Sequence, residues 1–109
     1  MDELEKRRVA EEAKFAKEEE KRFKVRARRN KLLGEWAGDL MGLSQEETKK
    51  YADRLIGLDI GETGEEVVFK QVRADFDAAK VEKSDHQIRR TMAELLETAA
   101  QQLENRPSS

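Results

Sequence analysis

The sequence predicts an all-α protein: a small four-helix domain with a long, partly unpacked N-terminal helical arm. Three observations carry that expectation. Helix formers (Ala, Glu, Lys, Arg, Leu and Gln) dominate, and the single proline is Pro107. Apolar residues recur at spacings of three and four along several segments, the period of a helix face. Three Ser or Thr residues are each followed three positions on by Glu or Gln, ahead of an apolar-periodic run. In such a capping box the hydroxyl accepts from a free helix amide while the later side chain reaches back.

The boxes divide the chain: "SQEE" at Ser44–Glu47, "TGEE" at Thr63–Glu66 and "SDHQ" at Ser84–Gln87. The first helix ends near Gly42. Its apolar face is broad from Leu33 through Trp36, Ala37, Leu40 and Met41. Upstream it narrows to Phe23, Ala27 and Asn30, then to Val9, Ala13 and Ala16. At ~25 cal/mol per Å² so thin a strip contributes little to docking. Residues 1 to 20 are therefore expected to form a nascent or frayed arm, disordered when free, whose helix propensity exceeds its burial. The second helix runs from about Gln45 to Leu58 with Tyr51, Ala52, Leu55 and Ile56 on one face. "DIGETG" breaks the chain, since two glycines within four residues favour a turn. The third helix presents Phe69, Val72, Phe76 and Ala79, and the fourth Ile88, Met92, Leu95, Leu96, Ala99 and Leu103. The expected organisation is an arm at 1–20, a domain at 21–105 and a disordered tail at 106–109.

With 109 residues there is room for one domain. Charged residues make up 42% and apolar ones 37%, yet the net charge is only −2. The balance hides blocks. Residues 1–20 hold eight acids and five bases, and residues 21–31 hold seven bases and no acid. Blocks of this kind suggest an electrostatic interaction surface. The absence of cysteine excludes disulfides and thiolate chemistry. No apolar run approaches the roughly 20 residues that span a bilayer, and the N-terminus has no apolar signal core, so a cytoplasmic location is the default expectation.

Catalysis finds little support. His86, the lone histidine, has no second histidine or cysteine to form a metal site with, and an exposed residue in a capped first turn is the preferred reading. The acids fall on polar faces, where solvation explains them before general acid–base work does. "GLDIGETGEE" lacks the lysine of a phosphate loop, and Glu62, Glu65 and Glu66 repel a phosphate, so a turn with an N-cap is preferred. The basic block at 21–31 has one aromatic, Phe23, and no nucleic-acid reader motif. It also lacks the bulky apolar face of a membrane-surface helix. A helix-prone, mixed-charge segment joined to a folded body fits an arm that folds into a cleft of a larger partner. On the residues alone, that reading and a merely solvated helix stand level, with nucleic acid behind both.

The stretches "EAKFAKEEEKRFKVRARRNKLLGEWAG", "YADRLI", "VVFKQVRADFDA" and "SDHQIRRTMAELLE" resemble the zeta-subunit family of alphaproteobacterial ATPase inhibitors, in order and with similar spacing over about residues 11–100. The resemblance implies a four-helix domain with an N-terminal inhibitory segment. In the family that segment enters the catalytic head of the rotary ATP synthase, between an α and a β subunit near the γ shaft, and blocks rotation in the hydrolytic direction. The implied location is therefore peripheral to the inner membrane, on the cytoplasmic side. Carried over, Phe15 is the apolar contact of the arm and Lys14, Lys17, Glu18, Glu19 and Glu20 the polar ones. Phe23 adjoins them, and Arg22, Lys24, Arg26, Arg28 and Arg29 would meet acidic surface on the partner. Two departures stand out: Glu35 beside Trp36, where the family has an apolar residue, and the first ten residues, "MDELEKRRVA".

The leading expectation is thus a non-enzymatic inhibitor of the rotary ATP synthase, with the α, β and γ subunits as partners and no cofactor, nucleic acid or membrane insertion. The alternative is a regulatory module with adenine nucleotide (ADP or ATP) as a weak ligand, for which Arg89 and Arg90 are the candidate donors. An exposed helical face is the preferred reading of those two. Nucleic-acid binding through residues 21–31 is the third reading.

Overall fold

The computed structural model describes the backbone of residues 3–105 and the side chains of residues 17–105. Among the described residues the chain forms four helices and no strand: α1 (Glu3–Leu40), α2 (Gln45–Leu58), α3 (Gly64–Ala79) and α4 (Asp85–Glu104). The expected tail at 106–109 lies outside the described residues.

α1 passes through the expected arm–domain boundary without a break. Burial changes along it: residues 17–24 are exposed, cover begins at Val25, and Arg29, Asn30, Leu33 and Ala37 are buried. α1 packs along both α2 and α4, and α3 closes against those two. The approach of α1 to α2 is close. A Cβ on Gly34 would lie 2.5 Å from the Ala52 Cα, so only glycine fits there without moving backbone. α1 closes in a Schellman motif, with Gly42 at φ 73° and the Leu43 amide donating to the Gly38 carbonyl at 2.9 Å.

The core takes Leu33 and Ala37 from α1, Tyr51 and Leu55 from α2, Val68, Phe69, Val72 and Phe76 from α3, and Ile88 and Met92 from α4. Trp36 is half-buried and tilts onto Phe76, ring centroids 5.4 Å apart at 58°. Glu35 points to solvent, so the departure at that position leaves the turn's packing intact. The face periodicities hold with four corrections. Phe23, Leu40 and Ala79 are exposed, the last two as the final residues of their helices. Val68 is fully buried.

Two of the three capping boxes form. Ser44 with Glu47, and Ser84 with Gln87, exchange both bonds at 2.8–3.1 Å. The third does not. Thr63 precedes α3 in a helical conformation, φ −93° and ψ 0°, with no side-chain bond to the helix. Glu66 turns instead to α4, where Arg89 holds it at 2.8 and 3.1 Å. α3 closes on Lys80 in the left-handed region, φ 59°.

Candidate functional site

The partner-binding site expected from the sequence lies on α1, between residues 14 and 29. Lys14 and Phe15 are outside the residues whose side chains are described. Lys17, Glu18, Glu19, Glu20, Arg22, Phe23 and Lys24 are all exposed. Their pairings run along the helix or to its edge: Lys24 with Glu20 at 3.1 Å, Arg22 with Glu19 at 3.5 Å, and the neighbouring Lys21 with Glu104 of α4 at 4.0 Å. Exposed pairs of this kind contribute about 0–1 kcal/mol each, so they leave these side chains available.

The basic block divides where burial begins. Lys21, Arg22, Lys24 and Lys31 face solvent. The other three bases turn into the body. Arg28 Nε donates to Gln102 Oε1 of α4 at 2.8 Å. Arg26 Nε donates to Asp59 Oδ2 at 3.1 Å, and its Nη2 bonds the same carboxylate. Arg29, whose side chain is 1% exposed, donates to Glu65 at 3.1 Å, to Asp59 at 3.5 Å and to Asn30 Oδ1 at 2.7 Å. The acidic surface expected to meet Arg29 on a partner is thus found inside the chain. A guanidinium this buried has its charge answered locally, because leaving it unpaired would cost about 3–5 kcal/mol.

Asp59 is the centre of this cluster. Its side chain is 2% exposed and it also accepts from Asn30 Nδ2 at 2.8 Å. Burial works to raise its carboxyl, but the bonds from Arg26 and Asn30 and the charges of Arg26 and Arg29 outweigh it and hold the group below its ordinary value. The bond to Asp59 in turn raises the Arg26 guanidinium, against the lowering by burial. Sequence reasoning missed Asp59. The available signal was an acid at the C-terminus of a predicted helix, where the macrodipole disfavours it.

Beside this cluster an open groove of about 1240 Å³ lies between the middle of α1, the end of α2 with the α2–α3 loop, and α4. It brings together Glu18, Glu19, Arg22, Phe23 and Arg26 from the expected set. Phe23 and Ile60 line it and are 69% and 76% exposed, while Leu96 and Ala100 are half-buried in it.

The two candidate nucleotide donors are placed elsewhere. Arg89 is held by Glu66 and lies over the Phe69 ring, 3.7 Å from its centroid. Arg90 pairs with Glu94 along α4 at 3.0 Å. Neither lines the groove. His86 is exposed, as expected. Among the described residues no group of three or more His, Asp or Glu is arranged to hold a metal ion, and no helix is long and apolar enough to cross a membrane.

Four short-looped helices, one of which extends past the body with residues 17–24 exposed, define a small all-helical protein. Comparison with protein families matches residues 1–102 to ATPase inhibitor subunit zeta. The chain belongs to that family. The match takes in the first ten residues, beyond the span the quoted stretches cover. No curated protein matches the chain.

Proposed function

We propose that this chain restrains ATP hydrolysis by a rotary ATP synthase through its N-terminal arm. Residues 1 to about 20 insert between an α and a β subunit of the catalytic head, near the γ shaft, and obstruct rotation in the hydrolytic direction. Family membership supports the inhibitory role. One observation carries the arm reading: α1 leaves a buried body and continues as helix through residues 17–24 with every side chain exposed. A helical segment with so little burial draws its stability mainly from propensity and exposed ion pairs, and a partner's cleft supplies the burial it lacks.

The mechanism requires no bond chemistry. The helical arm occupies space that the interface must close during turnover. The body, too wide to follow, limits the depth of entry. Lys17, Glu18, Glu19, Glu20, Arg22 and Lys24 offer both signs of charge to the walls, and Phe23 with Ile60 seats the partner's rim at the groove. Arg26 and Arg28 stabilise the base of the arm from within.

A photoreactive side chain at position 15 tests the reading on the purified catalytic head. Hydrolysis should fall on addition of the labelled chain, and illumination should join it to both α and β subunits. Unaltered hydrolysis would contradict the inhibitory role. Inhibition with label confined to the outer surface of the head would contradict insertion.

A further inference from the structure

α1 is attached to the body in two different ways. From Leu33 onward the attachment is apolar, through Leu33, Trp36 and Ala37. Between residues 25 and 32 it is mixed. Val25 and Leu32 are half-buried and Ala27 is small, and polar anchors are added by Arg26, Arg28, Arg29 and Asn30. Three of those four converge on one carboxylate, that of Asp59.

The three donors stand at positions i, i+3 and i+4, one face of a helix. A buried acceptor bonded to that face restrains the tilt and rotation of the part of α1 that lies before the apolar attachment. Asp59 is poorly placed for α2 itself, since it caps the C-terminus of that helix, where negative charge is unfavourable. The loop is nonetheless built around it. A Cβ on Gly64 would collide with the Asp59 side chain and backbone, so the α3 start accepts only glycine against this carboxylate.

We propose that Asp59 is a positioning residue for inhibition: by binding Arg26, Arg29 and Asn30 it sets the direction in which α1 leaves the body, and so aims the arm. The proposal rests on the reading of the arm as the inhibitory segment. The lever is long. From Arg26 to Glu3 the helix spans about 35 Å at ~1.5 Å per residue, so a tilt of about 20° displaces its far end by roughly 12 Å. Loss of the clamp spreads the arm over many directions, and only a fraction of the molecules then present it correctly. Apparent affinity falls by that fraction.

The chain has no cysteine, so spin labels on Lys17→Cys and Lys70→Cys report one distance without background, while inhibition is measured on the unlabelled chains that keep both lysines. With Asp59 intact the distribution should be single and narrow. In Asp59→Asn it should broaden, and inhibition of the catalytic head should weaken by about ten-fold. The control is Tyr51→Phe, which removes the Tyr51–Asp75 bond that joins α2 to α3 far from the clamp. It should keep the narrow distribution and wild-type potency. Should Asp59→Asn not fold, Arg26→Gln removes one donor and leaves Arg29 and Asn30 in place. It should broaden the distribution less and weaken inhibition by about three-fold. An unchanged distribution in the folded variant overturns the proposal, as does a broadened one with unchanged potency. A wild-type chain that fails to inhibit overturns the functional reading as well. That outcome differs from failure of the clamp alone, in which wild type and variant inhibit equally.

Discussion

The Tyr51 hydroxyl donates to the Asp75 carboxylate at 2.8 Å, joining α2 to α3 across the edge of the core. Tyr51 is the single tyrosine. Burial, and then the bond to Asp75, push its phenol far above the usual range. A group whose folded pKa is raised contributes stability that is complete below its unfolded value, about 10, and is lost as pH rises beyond it. Alkaline titration should therefore show no tyrosinate absorbance near pH ~10 while helical circular dichroism persists. The tyrosinate signal should appear together with unfolding at higher pH. Smooth ionisation near pH ~10 in a chain that stays helical would contradict the buried bond.

Asp59 has the opposite sign. Its folded carboxyl lies below the ordinary value despite burial, because Arg26, Asn30 and Arg29 favour the anion. The stability it contributes is present above the unfolded pKa, about 3.9, and is lost as pH falls through the lower folded value. The melting-temperature gap between wild type and Asp59→Asn should be widest near neutrality and should narrow below about pH 4. A gap independent of pH would mean that shape, not charge, is what the cluster requires of this residue.

The helix caps give a three-way comparison. Ser44→Ala and Ser84→Ala each remove a hydroxyl that accepts from a helix amide at 3.1 Å. Each should cost about 1 kcal/mol, or about 4–8 °C in melting temperature. Thr63→Ala should cost close to nothing, since the Thr63 side chain makes no capping bond. Thermal melts of the three variants decide the point, and an equal loss at all three positions would contradict the difference in cap geometry.

Thr63 also shows where the sequence could mislead. The pattern "TGEE" satisfies the spacing of a capping box, as "SQEE" and "SDHQ" do. Spacing does not reveal that Arg89, 23 residues after Glu66, stands on the facing helix and takes its carboxylate. The helices and most core positions were legible, because local period and propensity agree with the packing at Leu55, Val72, Phe76, Ile88 and Met92. The candidate site was legible only in part. The thinning apolar strip left residues 1 to about 20 outside the packed body, and the resemblance, not the spacing, singled out Lys17 to Lys24. Neither could distinguish Arg22, which faces solvent, from Arg29, which is buried, because both belong to the same run of bases. What separates them is Asp59, thirty residues on from Arg29 and brought beside it only by the fold.

The inhibitory role of the arm is decided by one comparison: hydrolysis by the purified catalytic head in the presence of the full chain and of the chain lacking residues 1–20. The buried residues named above all lie after the deletion, and the Asp59 cluster is retained, so the shortened chain should remain folded. The full chain should inhibit, and the shortened chain should not, at concentrations where its helical signal and its Trp36 fluorescence match those of the intact body. Equal inhibition by the two would contradict the arm as the inhibitory element.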